Sequence, residues 1–188
     1  MEQLFFLGII PPPAIFSEIE TFKTYAAKNF NSKHALRSPS HVTVLSPFYL
    51  KSEKKEDACL YLKKFFQEIN SFNIQLKNFN HFGERVVYIQ ITNHKELKEL
   101  HEDLKKDFYS QAFIDSVPIQ KYPYNPHLTI AFKDLKSYYF AKAERYYMKL
   151  KYLRNFTVEK IHLFNYRNSR WFKIDEFQLN KKHTFFNQ

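Results

Sequence analysis

Apolar positions along the chain alternate between short runs and helical stripes. LFFLGII at 4–10 is a run that ends at three prolines, Pro11 to Pro13, as a buried strand does. Ile15, Ile19, Phe22, Ala26 and Phe30 then recur at helical spacing, and the prolines suit the first turn of that helix. HVTVLSPFYL at 41–50 has no helical period and predicts a strand closed by Pro47. From Glu53 to Ile69 a second stripe carries Ala58, Leu62, Phe65 and Ile69. FNIQLKNFNHFG and RVVYIQIT predict a hairpin turning near Gly83. A helix opening at Asn93 or His94 follows, with Leu97, Leu100, Leu104 and Phe108 on its buried face. PHLTIAF predicts a strand, and Leu135, Tyr139, Ala143, Tyr146 and Leu150 mark a helix from about 135 to 150. FTVEKIHLFNYR and WFKIDEFQL close the chain as a hairpin that turns near Asn168 and Ser169.

These elements predict an α+β fold, with no linker long enough to divide residues 1–188 into separate domains. Composition supports a packed core: 44% of residues are hydrophobic, and with 21 Phe and 13 Tyr some aromatic rings must line a groove or the surface. The net charge of +10 favours anionic partners such as nucleic acid, although lysine-rich helices that keep an aromatic-rich chain in solution account for it equally. Cys59 is the one cysteine, which excludes an internal disulfide and any multi-cysteine metal site and fits a reducing cytoplasm. LFFLGII is too short to span a bilayer and lacks a preceding basic segment, so no membrane association is expected. With only Gly8 and Gly83, neither a P-loop nor a dinucleotide-binding glycine loop can be built. Phosphate, if bound, must be held by side chains.

HVTV at 41–44 and HLTI at 127–130 repeat one pattern: histidine, apolar, threonine, apolar. On a strand, His41 and Thr43 share a face with about 7 Å between them, as do His127 and Thr129, while the apolar residues turn the other way. One histidine at a strand edge is ordinarily a structural hydrogen-bonding residue. Two such four-residue patterns arise by chance on the order of once in ten thousand shuffles of this composition. Two imidazoles across one phosphate can divide general base and general acid work near neutral pH, and threonine hydroxyls can donate to the phosphate oxygens. No metal or other cofactor is required by such a site.

At these residues the chain resembles the 2H phosphoesterases, the superfamily of LigT-like 2′-5′ RNA ligases and cyclic nucleotide phosphodiesterases, whose hallmark is a pair of His-x-Thr/Ser motifs. PPP after the first strand, SPF after the first motif, NPH before the second and the closing LFNYRNSRWF resemble the bacterial 2′-5′ RNA ligase-like branch. The resemblance implies a bilobal LigT-like fold, two pseudo-symmetric βα lobes with mainly antiparallel sheets facing a central cleft. It implies chemistry without metal on 2′,3′-cyclic or 2′-5′ phosphodiester bonds of RNA or nucleotides, with reversible 2′-5′ ligation in some members. His41 and His127 become the acid–base pair, and Thr43 and Thr129 the phosphate binders. The rival readings are a phosphodiesterase for a small cyclic nucleotide or an ADP-ribose cyclic phosphate, and a noncatalytic RNA-binding module. The expected partner is the RNA or nucleotide substrate alone, bound by a monomer.

Four further residues are substrate-binding candidates by position: Phe48 beyond the first motif, Lys121 and Tyr124 before the second, and Trp171 past the final turn. Each also has a plain structural reading, in packing or as a solvated charge. The segment HKELKELHEDLKKDF contains His-Glu, but Lys105 stands where a zinc-protease motif needs its second histidine. His94 and His101, two helical turns apart, are expected to face solvent. His162 sits on a strand but has Phe164, not threonine, two residues on.

Overall fold

The structure, a computed structural model, describes residues 1–114 and 123–181. In chain order the elements are β1 (Glu2–Ile9), α1 (Pro13–Asn29), a 3-10 turn (His34–Arg37), β2 (Val42–Lys51), a second 3-10 turn (Ser52–Lys54) and α2 (Lys55–Gln67). There follow β3 (Phe72–Phe82), β4 (Val86–Ile91), α3 (Lys95–Tyr109), β5 (His127–Phe132), α4 (Ser137–Tyr147), β6 (Leu153–Val158), β7 (Lys160–Arg167) and β8 (Arg170–Gln178). The fold is α+β: one antiparallel sheet in the order β6-β3-β4-β5-β2-β1-β7-β8. Among the described residues no helix is long and apolar enough to cross a membrane.

The sheet has two four-stranded halves, β6-β3-β4-β5 and β2-β1-β7-β8, and between them β2 and β5 share a single register pair, Val42 with Leu128. The helices lock these halves by exchange. α1 joins β1 to β2 yet packs on β5, and α3 joins β4 to β5 yet packs on β2; α4 covers β3 and β4, and α2 covers β8. One face of the sheet is therefore core throughout, with Val42, Val44, Leu128 and Ile130 all fully buried beneath these helices. Each such side chain contributes about 1.5–3 kcal/mol of burial, so the strands that carry the two motifs are fixed by their apolar residues.

Pro47 does not close β2, which continues to Lys51. Phe5 pairs with Phe48 and Leu7 with Leu45, so Ser46 and Pro47 together oppose Phe6 in a bulge. A bulge tolerates a residue without an N–H. FTVEKIHLFNYR is not one strand either: β6 pairs with β3 at one end of the sheet and β7 with β1 in the other half. The buried positions slip from Phe156 and Val158 to Ile161 and Leu163, a change of phase at Glu159 that no glycine or proline announces. The fourth helix is shorter than 135–150 and buries Phe140, Ala143 and Tyr147, one position on from the expected Tyr139 and Tyr146. In α2, Phe66 takes the buried place expected for Phe65.

Candidate active site

Extending the Val42–Leu128 register by one residue each way sets His41 beside Thr129 and Thr43 beside His127. Neighbouring strands lie about 4.8 Å apart, so the two motifs form a crossed square on the face opposite the core. All four residues are partly exposed there, while the apolar residue between each pair is buried.

Both motif strands break register at the same place. Leu7 pairs with Leu45 and Gly8 with Thr43, which leaves Val44 extra; Val87 pairs with Ala131 and Tyr88 with Thr129, which leaves Ile130 extra. The fourth residue of each motif is thus a β-bulge, and Val44 and Leu45, like Ile130 and Ala131, are buried in succession. A bulge bends its strand and re-aims the side chains before it. In β2 the carbonyls around the bulge have side-chain donors: the Tyr124 hydroxyl donates to the Thr43 carbonyl at 2.7 Å, and His101 Nδ1 donates to the Val44 carbonyl at 2.7 Å. The His101 and Tyr124 rings stack with centroids 3.8 Å apart and planes 8° from parallel. Tyr124, on the approach to the second motif, thereby holds the backbone of the first.

The imidazoles are fixed alike. His41 Nδ1 contacts the Pro39 carbonyl at 2.7 Å and His127 Nδ1 contacts the Asn125 carbonyl at 2.7 Å. A carbonyl only accepts, so each Nδ1 carries a hydrogen and each Nε2 is left for proton transfer. Each ring also leans on a stacked aromatic pair from the next two strands. For His41 these are Phe6 and Phe164, 4.4 Å apart at 4°, with Phe6 4.6 Å from the imidazole. For His127 they are Tyr88 and Phe82, 4.1 Å apart at 26°, with the imidazole 5.2 Å and 4.9 Å from them.

Burial disfavours the imidazolium at both sites. It pushes His41 down to about 4, helped by the nearby positive charges of Lys23 and His127 and opposed by the Pro39 carbonyl and Glu20. Burial also lowers His127, against its bond to the Asn125 carbonyl. Lys23 is 1% exposed; its Nζ donates to Glu20 Oε1 and to the Ser38 carbonyl, both at 2.8 Å. The same Glu20 oxygen accepts from the Ser40 hydroxyl at 2.7 Å and from its N–H at 3.0 Å. This network fixes the turn that delivers His41.

The other candidates divide. Phe48 is fully buried, packed on Phe5 and Phe108, and is a core residue rather than a ligand contact, because the bulge before it returns its side chain to the core face. Tyr124 supports β2 as described, and burial raises its hydroxyl far above the ordinary range. Trp171 stands edge-on to Phe6 at 4.6 Å, on the ring that itself meets His41. Lys121 lies outside the described residues. His101 is buried, not solvent-facing, with an exposure of 1%. It stands four residues after Leu97 and three before Leu104, which places it on the inner side of α3. His162 is buried on β7 opposite Gly8, itself opposite Thr43, and so shares the row of the first threonine. Its Nδ1 accepts the Ile10 N–H at 3.4 Å. Gly8 leaves room for the rings above it: a Cβ there would lie 3.0 Å from Phe6 Cε2 and 3.1 Å from the Val42 carbonyl oxygen.

Sequence reasoning also missed Phe6, Phe164, Phe82, Tyr88, Lys23 and His101. For Lys23 and His101 the signal was present: each falls on an apolar helical stripe, Lys23 between Ile19 and Ala26, His101 between Leu97 and Leu104. Among the described residues no group of three His, Cys, Asp or Glu is placed to hold a metal ion.

A sheet that sets two histidine–threonine pairs side by side, each imidazole tethered by Nδ1, defines a two-histidine class of protein. The family described as the 2′-5′ RNA ligase superfamily matches residues 11–170, and the chain belongs to it. It is 27% identical over 157 residues to a Bacillus cytotoxicus protein named “Putative phosphoesterase”, covering 82% of this chain and 86% of that one. A Bacillus mycoides protein with the same description is 26% identical over 161 residues, covering 84% and 88%. The fold matches that of E. coli LigT complexed with 3′-AMP, with a TM-score of 0.67 at 15% identity over 95% of this chain and 99% of that one. It also matches a protein of Thermus thermophilus, with a TM-score of 0.70 at 15% identity over 96% and 100%. LigT has also been solved complexed with ATP and with NADP+.

Proposed function

We propose that this chain is a phosphoesterase that opens 2′,3′-cyclic phosphates, or cleaves 2′-5′ phosphodiesters, of RNA or nucleotides by two-histidine acid–base catalysis. The observation that carries this reading is the crossed register, with each histidine beside the other motif's threonine and each Nε2 free. In hydrolysis of a cyclic phosphate, water forms a new bond to phosphorus and one ribose oxygen leaves. One imidazole takes the water proton through Nε2, and the other gives a proton to the departing oxygen. A bound phosphate, being anionic, raises the pKa of the imidazole that must hold that proton. Thr43 and Thr129 donate to the non-bridging oxygens, where charge accumulates in the transition state. With a 5′-hydroxyl in place of water, the same proton transfers would form a phosphorus–O5′ bond as the phosphorus–O3′ bond of the cyclic phosphate breaks and O3′ takes the proton, which is 2′-5′ ligation. The nucleotide complexes of LigT support a nucleotide-sized ligand for the same fold.

The test is turnover of 2′,3′-cyclic mononucleotides and 2′-5′-linked dinucleotides in the presence of a chelator, with the product's phosphate position read by NMR. Turnover that is lost in His41→Ala and in His127→Ala is the expected result. Wild-type rates in either variant would refute the assignment.

A further inference from the structure

A groove of about 730 Å³ lies outside the motif square, between the end of α1, the 3-10 turn at His34–Arg37 and the tip of the β7–β8 hairpin. Lys28, Lys33, Arg37 and Arg170 line it, Leu36 and Tyr139 add apolar wall, and no acidic residue does. Among the described residues none of the four cations is paired with a carboxylate. The nearby carboxylate, Asp134, is engaged elsewhere. It accepts from the Ser32 hydroxyl at 2.9 Å and from the N–H groups of Lys33 and His34 at 2.8 and 2.9 Å. Asp134 therefore fixes the turn that carries Lys33 and Arg37 without neutralising their side chains. Four like charges held around one concavity repel one another, and an anionic occupant relieves that repulsion.

The groove is joined to the motif square on two sides. Arg37 is four residues before His41, a stretch that spans at most about 14 Å. Arg170 precedes Trp171, whose ring meets Phe6 at 4.6 Å, and Phe6 meets His41 at 4.6 Å. A nucleic acid strand only a few nucleotides long covers that separation.

We propose that this groove is a second anion site, which holds the sugar–phosphate backbone of single-stranded nucleic acid a few nucleotides from the bond that reacts at His41 and His127. It rests on the reaction proposed above and narrows its substrate to a polymer. Tyr139 and Leu36 offer a surface for a base, while the four cations meet phosphates without reading sequence.

The test compares a 2′,3′-cyclic mononucleotide with a single-stranded RNA of about eight nucleotides ending in a 2′,3′-cyclic phosphate, using wild type and the exposed double substitution Lys33→Ala, Arg37→Ala. The expected result is a KM for the RNA about tenfold higher in the variant, with mononucleotide kcat/KM unchanged. The log–log salt dependence of RNA binding should also become shallower by about 1.4, for two lost phosphate contacts. Equal effects on both substrates, or none on the RNA, would overturn the groove. If wild type turns over neither substrate, the proposed reaction fails, and fluorescence anisotropy with a dye-labelled RNA of the same length judges the groove by itself. Salt-sensitive binding that is weakened in the double variant upholds it, and binding that is absent or unchanged overturns it.

Discussion

The half of the sheet that carries His41 and the half that carries His127 follow one plan with different surroundings. Each motif strand is bulged at its fourth residue, each imidazole is tethered to a carbonyl two residues upstream, and each leans on an aromatic pair. They differ in charge and in filling. His41 has the buried Lys23 and Glu20 behind its approach turn, whereas at His127 burial lowers the imidazole and is opposed by the Asn125 carbonyl. Beside Thr43 stands Gly8, roofed by Phe6 and Phe164, where beside Thr129 stands Tyr88 with its own ring. A common backbone device can therefore present the same side chains in two electrostatic settings, which a reaction that needs one acid and one base can use.

If the halves are chemically complementary, His41→Ala and His127→Ala should each lower kcat/KM on a 2′,3′-cyclic nucleotide by about 10²–10⁴; a variant that retained wild-type turnover would break the symmetry of roles. Their aromatic supports should not be equivalent. Phe164 is fully buried and Phe82 only partly, so urea unfolding should show Phe164→Ala costing about 3–5 kcal/mol and Phe82→Ala about 1–2 kcal/mol. Equal costs would mean that the His41 side is not the more tightly packed.

The asymmetry in charge has a pH signature. His41 falls to about 4 in the folded chain, against about 6.5 unfolded, so between those values the unfolded state binds the extra proton. Stability from this group is complete above about pH 6.5 and is lost as pH falls through 4, by about 1–3 kcal/mol after allowance for partial exposure. Urea titrations of wild type and His41→Asn at pH 7 and 4.5 check it: the gap between the two proteins should change with pH, and a constant gap would refute the shift. Tyr124→Phe removes the hydroxyl that holds the Thr43 carbonyl and should cost about 1 kcal/mol, read in the same assay. Most delicate is Lys23→Met, which should move the His41 pKa upward and leave His127 in place, as followed by NMR of the imidazole protons. Parallel movement of both would show that Lys23 does not set the halves apart.

Much of this molecule is legible in the chain because local patterns carry it. The stripes at Leu97, Leu100, Leu104 and Phe108 and at Ile15, Ile19 and Ala26 predict α3 and α1, and Gly83 with a positive φ of 50° turns the β3–β4 hairpin as expected. The two motifs stand out because polar and apolar residues alternate through them. The aromatic supports did not, since Phe6, Phe164 and Tyr88 sit in apolar runs where nothing local separates the cleft face from the core face. Phe48 was a candidate only for its place beyond the motif; its even spacing from Val42 and Val44 already puts it on their core face, because the bulges at Val44 and at Ser46–Pro47 offset one another. Lys23 and His101 were readable as polar residues on buried stripes, yet the backbone carbonyls they hold, those of Ser38 and Val44, lie far enough along the chain that only folding supplies them.

The sequence by itself determined the α+β class, the order of most elements and the identity of the two histidine–threonine pairs, because side-chain periodicity and residue chemistry are local properties. Tertiary structure alone decided that β2 and β5 lie side by side, that Val42 meets Leu128, and that Arg170 comes round to the groove of Lys33 and Arg37. Strand neighbours and groove walls are chosen by which apolar faces bury one another across the whole chain, and that choice leaves no mark within any single segment.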